Sequence, residues 1–221
     1  MHSNTTDERT LADYRAKSNL PRALSTDRLT IRQWRVSDVQ QFDALYQSSF
    51  DGHLEPWMPE PRRDATERER LRDLSDRVHV MHDKWDQGSD YRFLICRNAD
   101  ETVVGQIGIT GILRSVNQSG FIGYWIGREY LNAGYATEAT LLAMHYAFEL
   151  LRLHRISLWI SPENPASLRV AEKLGLRHEG CIREALYLGG RWQDTEIYTI
   201  LDHEWKSRKD ELIRTYCPNN E

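Results

Sequence analysis

The segment from residue 120 to residue 161 limits the possible folds more than any other part of this 221-residue chain. The strand pattern "GFIGYWIG" (120–127) precedes a helical pattern over 134–151, in which alanines recur on one face. A second buried-strand pattern, "RISLWIS" (155–161), follows directly. A strand, a helix and a strand in succession predict a crossover, a connection that typically leaves its two strands parallel in one sheet.

The rest of the chain predicts antiparallel hairpins around this crossover. Further strand patterns cover 28–34, 91–97, 102–112, 177–188 and 192–202, and further helical patterns cover 38–50, 64–87, 165–175 and 203–215. The turns at 98–101 and at Gly189-Gly190 each join two strands without a helix. The order β, α, α, β, β, β, α, β, α, β, β predicts an α+β or mixed α/β fold in a single domain over 24–215.

Composition excludes several classes of protein. A formal net charge of −4 gives no reason to expect nucleic-acid binding, and no apolar run approaches the roughly 18–20 residues of a membrane span. Residues 1–23 form a polar extension without the apolar middle of a signal peptide, with a short helix expected over Asp7–Lys17, and 216–221 form a tail. The three cysteines show neither metal-ligand nor disulfide spacing, so we expect no metal and a cytoplasmic protein.

The crossover helix begins with an unusually bare turn. The segment Asn132-Ala133-Gly134-Tyr135-Ala136-Thr137 carries no charge, and glycine lets the backbone turn sharply and be approached closely. The first N–H groups of a helix lack intrahelical partners and attract anions, so such a turn can hold a phosphate or pyrophosphate. A tight turn that binds nothing explains the same residues, and this loop alone favours that interpretation. It contains neither the P-loop nor the dinucleotide pattern.

A second helix start follows the next strand. In Asn164-Pro165-Ala166-Ser167, Asn164 suits a helix N-cap and Pro165 the first helical position. Capping therefore explains this segment without a ligand, apart from Ser167. If the two strands of the crossover are parallel and splay apart, however, both helix starts open at the same end of the sheet, where α/β folds place ligands.

These residues resemble the GNAT superfamily of acetyl-CoA-dependent N-acetyltransferases, and most closely its Rim-type branch, which acetylates the N-termini of ribosomal proteins. The resemblance covers about residues 24–205. It rests on five segments in the family's order: "LSTDRLTIRQW", "GYWIG", "LNAGYATEA", "NPASLRVAEKLGLRHEG" and "YLGGRWQDTEIY". It implies a mixed, mostly antiparallel twisted sheet flanked by helices, in which splayed parallel strands form an acetyl-CoA slot.

The resemblance also assigns roles to residues. The pyrophosphate of acetyl-CoA would lie on the N–H groups of 132–137, although Leu131 stands where the family usually has a polar residue. The strand residues Trp125 and Ile126 would pair with the pantetheine arm, with the Ile126 N–H as oxyanion donor. Asn164 would bond the same arm. Ser167 would protonate the leaving thiolate.

The general base and the acceptor region are less sharply defined. Some members of the branch carry Glu where this chain has Leu186; Glu184 points the same way if the strand is regular, and Asp194 or a water chain are alternatives. An ordinary exposed strand carboxylate explains Glu184 equally well. For substrate binding the resemblance offers Trp57, Glu55, Tyr187 and Asp194, with Tyr198 completing the closing pattern. A loop anchor and a solvated carboxylate are the plainer explanations of Trp57 and Glu55, and we expect Trp125 and Trp159 in the core.

The expected reaction is direct transfer of an acetyl group to a primary amine in a ternary complex, with acetyl-CoA as cosubstrate. The favoured acceptor is a protein N-terminal α-amine, which loses its proton more readily than lysine. A small amine (an antibiotic, polyamine, amino acid or amino sugar) is the alternative. A CoA-binding module that has lost catalysis and a structural domain without ligand are the hypotheses from other classes. We expect no nucleic-acid or membrane partner, and regard a homodimer as a possibility.

Overall fold

A computed structural model describes residues 20–217 of the chain. The described residues form eight strands and five α-helices. The strands are β1 Ala23–Ser25, β2 Leu29–Gln33, β3 Tyr91–Arg97, β4 Val103–Leu113, β5 Ser119–Ile126, β6 Arg155–Ile160, β7 Arg177–Leu188 and β8 Arg191–Leu201. The helices are α1 Val39–Ser49, α2 Glu67–Asp86, α3 Tyr135–His145, α4 Pro165–Lys173 and α5 Asp202–Tyr216. A short π-helical turn extends α3 over Tyr146–Leu150. After α1, the turn Phe50–Leu54 is kinked, with non-helical backbone angles at Asp51 and Gly52.

All eight strands lie in one sheet in the order β1-β2-β3-β4-β5-β6-β8-β7. Every neighbouring pair is antiparallel except β5 and β6, which are joined by the crossover through α3. The predicted fold class, a mixed and mostly antiparallel sheet flanked by helices, is confirmed. The parallel pair lies inside the sheet, so the opening that it creates is flanked by strands on both sides.

Two hydrophobic cores cover the two faces of the sheet. Strand side chains alternate between the faces, and β3 illustrates this, because Phe93 and Ile95 enter the core beneath α3 and α5 while Leu94 and Cys96 enter the core beneath α1 and α2. On α2, an apolar stripe packs against the second core with Val78 fully buried; its other members are Leu71, Leu74 and Met81. A capping box between Thr66 and Glu69 begins this helix.

Several sequence expectations need correction. Strand β1 was not predicted. Trp159, expected in the core, is 41% exposed and packs edge-on against Phe121, with ring centroids 4.9 Å apart. Trp125 does lie in the core. The helix expected over Asp7–Lys17 lies outside the described residues. Among residues 20–217, no helix combines the length and the apolar character of a membrane span.

Candidate active site

The two parallel strands separate soon after they meet. β5 and β6 pair only from Ser119–Phe121 to Arg155–Ser157, although β5 continues to Ile126. On the other side of β5, the Gly127 N–H donates to the Val104 carbonyl at 2.8 Å. Because an antiparallel ladder alternates, the N–H and C=O of Ile126 turn away from β4 and toward the widening gap. The strand edge predicted to receive the pantetheine arm is therefore available at its carboxyl end.

The bare loop before α3 has the geometry of an anion cradle. Gly134 is the N-cap residue with φ of 83°, in the left-handed region that favours glycine, and no side chain caps the helix start. Leu131, Asn132, Ala133 and Gly134 are all exposed. The N–H groups of the first turn therefore have no capping side chain, and the loop before them is open to solvent, which fits a pyrophosphate.

A buried ion pair supports this loop from the opposite side. Glu138, in the first turn of α3, is fully buried, and its carboxylate accepts hydrogen bonds from the Arg28 guanidinium (Nε to Oε2, 3.0 Å) and from the Thr26 hydroxyl. Arg28 also donates to the Ala133 carbonyl at 3.2 Å and lies 5.7 Å from the centre of the Tyr135 ring. The sequence did not predict this ion pair, because Arg28 and Glu138 lie more than 100 residues apart.

The start of α4 contributes the second predicted group. The Asn164 Oδ1 accepts the Ser167 N–H at 3.1 Å, so the expected N-cap is confirmed. The hydroxyl of Tyr124 from β5 is buried, and among residues 20–217 the polar neighbour that influences it is the Ser167 side chain, which does not meet the geometry of a regular hydrogen bond. Burial raises the pKa of Tyr124 to about 12, and the nearby Ser167 side chain opposes this rise. This proximity shows that the start of α4 faces the carboxyl half of β5.

The end of α1 and the loop that follows it both contact the end of β5. The buried Ser49 hydroxyl accepts the Arg128 N–H at 3.0 Å, and His53 Nε2 lies 2.9 Å from the Ile126 carbonyl oxygen. The second contact places a histidine at the strand residue predicted to supply the oxyanion N–H. No local sequence pattern signals the contact of His53 with Ile126, 73 residues away.

The β7–β8 hairpin closes the same region from the other side. The side chain of Gln193 is buried and donates to the carbonyls of Pro56 and Leu188, both at 3.1 Å. The structure therefore brings together the two segments that contain the predicted substrate residues Trp57, Glu55 and Tyr187.

The side chains at this rim are solvent-accessible to different degrees. Tyr187 is 60% exposed and packs edge-on against Trp192, which is 59% exposed, with ring centroids 5.4 Å apart. Trp57 is half-buried and Glu55 is exposed, with its carboxylate accepting the Gly52 N–H at 3.3 Å. Aromatic surface thus dominates the tip of the hairpin.

The argument from a regular strand for Glu184 is wrong. Between Ile182 and Leu186, β7 advances four residues while β8 advances two, and Glu184 has a φ of 51° in this bulge. Its side chain is exposed, and its N–H donates to the Asp194 carboxylate at 2.9 Å. Within the part of the chain that the structure describes, neither carboxylate makes a hydrogen bond to β5, β6 or α4. Tyr198, on β8, packs against His178 with ring centroids 5.1 Å apart.

A separate cavity of about 310 Å³ lies between α1, α2 and the sheet. Its lining includes Trp34, Tyr46, Met58, Arg77 and Gln106, but neither Ile126 nor any residue of 132–137. Tyr46 packs against the Trp125 ring at 5.4 Å between centroids. The cavity therefore lies behind Trp125, apart from the gap between β5 and β6.

Among the described residues, no group of three or more His, Cys, Asp or Glu side chains is arranged to hold a metal ion.

Comparison with known proteins defines the class. The profile of the acetyltransferase (GNAT) domain matches residues 28–177, and the chain belongs to this family. An uncharacterized N-acetyltransferase, YnaD of Bacillus subtilis, is 30% identical over 185 residues, which cover 82% of this chain and 98% of YnaD. The [ribosomal protein uS5]-alanine N-acetyltransferase of Escherichia coli is 26% identical over 196 residues, covering 86% of this chain and 96% of that enzyme.

Two further similarities bear on the acceptor and the cofactor. The spermidine N(1)-acetyltransferase of Vibrio cholerae is 27% identical over 154 residues, covering 70% of this chain and 83% of that enzyme. The structure of Mycobacterium smegmatis RimJ in complex with CoA-disulfide superposes with a TM-score of 0.77 at 26% identity, covering 85% of this chain and 88% of RimJ. The protein is an N-acetyltransferase of the GNAT type, its similarities fit the Rim-type branch, and GNAT acetyltransferases use acetyl-CoA.

Proposed function

We propose that this enzyme transfers the acetyl group of acetyl-CoA to the N-terminal α-amine of a protein. The pyrophosphate would rest on the N–H groups of 132–137, with the Arg28 guanidinium adding positive charge beside the loop. The pantetheine arm would extend along the free edge of β5 toward Ile126, between Asn164 and Ser167. The acceptor amine would enter between loop 50–58 and the β7–β8 hairpin.

The choice of acceptor rests on the kind of side chains that line this entrance. Exposed aromatic rings from Tyr187 and Trp192 form its hairpin side, and they offer apolar contact area to a peptide. Two carboxylates already have hydrogen-bond partners. Asp194 on β8 accepts the Glu184 N–H, and Glu163 accepts from the Arg191 guanidinium. A site for a polyamine needs several free carboxylates to bind its charged amines. A site for a peptide N-terminus needs to accommodate only one amine, in its deprotonated form.

A small cationic amine is the second candidate. The similarity to a spermidine acetyltransferase favours it, as do the exposed carboxylates of Glu55 and Glu184 at the same rim. Glu184, Ser167 and the Ile126 N–H stay predicted catalytic groups under either candidate. The homodimer and the cytoplasmic location stay predictions, the latter based on three free cysteines.

An acceptor panel tests the proposal. The purified enzyme with acetyl-CoA receives a peptide with a free N-terminal alanine, the same sequence with a blocked N-terminus and one internal lysine, or spermidine. We expect thiol release with the first peptide and a single acetyl group on its α-amine, located by mass spectrometry. Turnover with spermidine alone would replace this function by the second candidate. Binding of acetyl-CoA without turnover of any amine would indicate a catalytically silent module.

A further inference from the structure

His53 is the side chain that joins the acceptor loop to the predicted cofactor strand. The loop kinks at Gly52, whose φ is 69°, and is anchored by the buried side chains of Phe50 and Leu54 on either side. This anchoring holds the imidazole against β5, where its Nε2 lies 2.9 Å from the Ile126 carbonyl oxygen. The histidine of this surface loop is thereby fixed at one point of the site.

The partner of Nε2 determines the tautomer. A carbonyl oxygen can only accept a hydrogen bond, so Nε2 must carry the proton. In the neutral ring, Nδ1 is then the acceptor nitrogen, with its lone pair free. Among the described residues Nδ1 has no hydrogen-bond partner, and it is not enclosed, because the side chain of His53 is only half-buried.

The position of the imidazole matches the need of the reaction. The N–H and C=O of Ile126 turn toward the same gap, so a group that binds this carbonyl lies next to the proposed oxyanion N–H. An amine that attacks a thioester held there approaches within reach of the ring, directly or through one water molecule. Neither Glu184 nor Asp194 has a comparable contact with β5.

We propose that His53 is the general base of the acetyl transfer, an assignment that rests on the proposed function. Nδ1 accepts one proton from the acceptor ammonium and later releases it to solvent. The neutral amine nitrogen forms a bond to the thioester carbonyl carbon, and the carbon–sulfur bond breaks. The second proton lost by nitrogen passes to the thiolate, so the products are the amide, CoA thiol and one proton.

Three variants separate a base from a structural contact. His53→Gln keeps an amide N–H at the position of Nε2, and so can still bond the Ile126 carbonyl, but it has no basic nitrogen. His53→Ala removes both functions. The matched control is His82→Gln, because His82 Nε2 lies 2.8 Å from the Trp34 carbonyl, which is the same type of contact outside the site.

For a base, His53→Gln lowers kcat about 100-fold or more while the KM for acetyl-CoA is unchanged. Imidazole added to the buffer then restores part of the activity of His53→Ala. His82→Gln keeps the wild-type kcat. Full activity of His53→Gln would show that His53 is only a structural contact, and would overturn the proposal. The proposal would also be overturned if imidazole failed to rescue a His53→Ala enzyme that is folded and binds acetyl-CoA normally.

A second measurement does not depend on turnover. Long-range ¹H–¹⁵N spectra of the wild type, with the His53 signals assigned by their loss in His53→Gln, report which ring nitrogen carries the proton. We expect the Nε2–H tautomer, and the Nδ1–H tautomer would overturn the proposal. If the wild type acetylates no amine, the proposed function fails, while the tautomer still decides whether the ring is arranged as a base.

Discussion

Gly134 adopts a backbone conformation, with φ of 83°, that costs an L-residue about 1–2 kcal/mol. A Cβ atom built at this position would lie 3.5 Å from the Arg28 guanidinium, so the protein itself leaves room for a small side chain there. Single residues of this kind define the site: Gly134 sets the cradle, Ile126 turns its N–H toward the gap, and His53 and Gln193 attach distant segments to it. A substitution at such a residue should therefore remove one specific function of the site.

Replacing Gly134 by tryptophan should abolish cofactor binding while leaving a folded protein. The indole would cover the N–H groups of the first turn, which are the proposed pyrophosphate contacts. At a hundredfold excess over Kd, a ligand adds about 2.7 kcal/mol to the stability of the folded state. In thermal-shift measurements we expect stabilisation of the wild type by acetyl-CoA and CoA but not by ATP, and none of the variant.

The control for this substitution is Gly190→Trp. Gly190 also has a positive φ, of 75°, with open space around its Cβ position, but it lies at the tip of the β7–β8 hairpin. It should share the backbone strain and keep the response to CoA. An equal loss of response in both variants, or a retained response in Gly134→Trp, would remove the cofactor from the 132–137 loop.

Gln193 should affect the acceptor and not the cofactor. Its amide is the contact between the hairpin and loop 50–58, so Gln193→Ala frees the two sides of the entrance and exposes two carbonyls that lose their donor. We expect a several-fold rise in the KM of the peptide and an unchanged KM for acetyl-CoA. Asn98→Ala is the matched control, since its amide also bridges two carbonyls, those of Thr26 and Asp27; its acceptor KM should stay constant. A rise in both variants would contradict a role at the entrance.

At the scale of elements, the splay of β5 and β6 and the two helix starts that follow them form the site. The contact from the β1–β2 turn to α3 holds one of these starts in place. The Arg28–Glu138 pair has side chains that are 33% and 1% exposed. A carboxylate removed from water depends on its partner much more than one at the surface. The cradle therefore depends on the packing of the β1–β2 turn against α3, and not on loop 132–137 alone.

Arg28→Met tests this dependence. It leaves the Glu138 carboxylate buried with only Thr26 as a partner, so we expect a loss of about 3 kcal/mol in the free energy of unfolding measured with urea. The matched control is Arg191→Met, which breaks the Arg191–Glu163 pair, whose side chains are 55% and 58% exposed, at a cost below about 1 kcal/mol. Equal losses in the two variants would show that Glu138 does not depend on Arg28.

The sequence predicts elements better than the contacts between them. β3 spans 91–97 in both the prediction and the structure, because its alternation is strong and local. β1 has only three residues and forms by pairing with β2, so it leaves no periodic signal. The bulge at Glu184 breaks the alternation on which its expected direction depended. His53, Gln193 and Arg28 reach the site across 73 to 137 residues, a separation at which local patterns carry no information.

On the scale of the whole molecule, many carboxylates are bound to arginine or lysine, and their pKa values are lowered. Hydrogen bonds from lysine or arginine lower the pKa of Glu149, Glu163, Glu179 and Asp100, the first of these through Lys209. A carboxylate with a lowered pKa in the folded state binds protons more weakly there than in the unfolded state. Acid should therefore unfold the protein by protonating these groups.

Asp38, before α1, is the buried example that tests this conclusion. Burial raises its pKa, but paired hydrogen bonds from Arg32, both 2.7 Å, and a bond from the Arg35 N–H, also 2.7 Å, outweigh burial, so the pKa is lowered from 3.8. Since the folded-state pKa is the lower one, this contribution to stability is complete above the unfolded-state pKa and is lost as the pH falls through the folded-state pKa. Asp38→Asn should be less stable at neutral pH, and urea titrations should show that it loses less stability than the wild type between about pH 5 and pH 3. Parallel losses in the two proteins would mean that Asp38 does not contribute to acid unfolding, and the exposed ion pairs would then have to account for it.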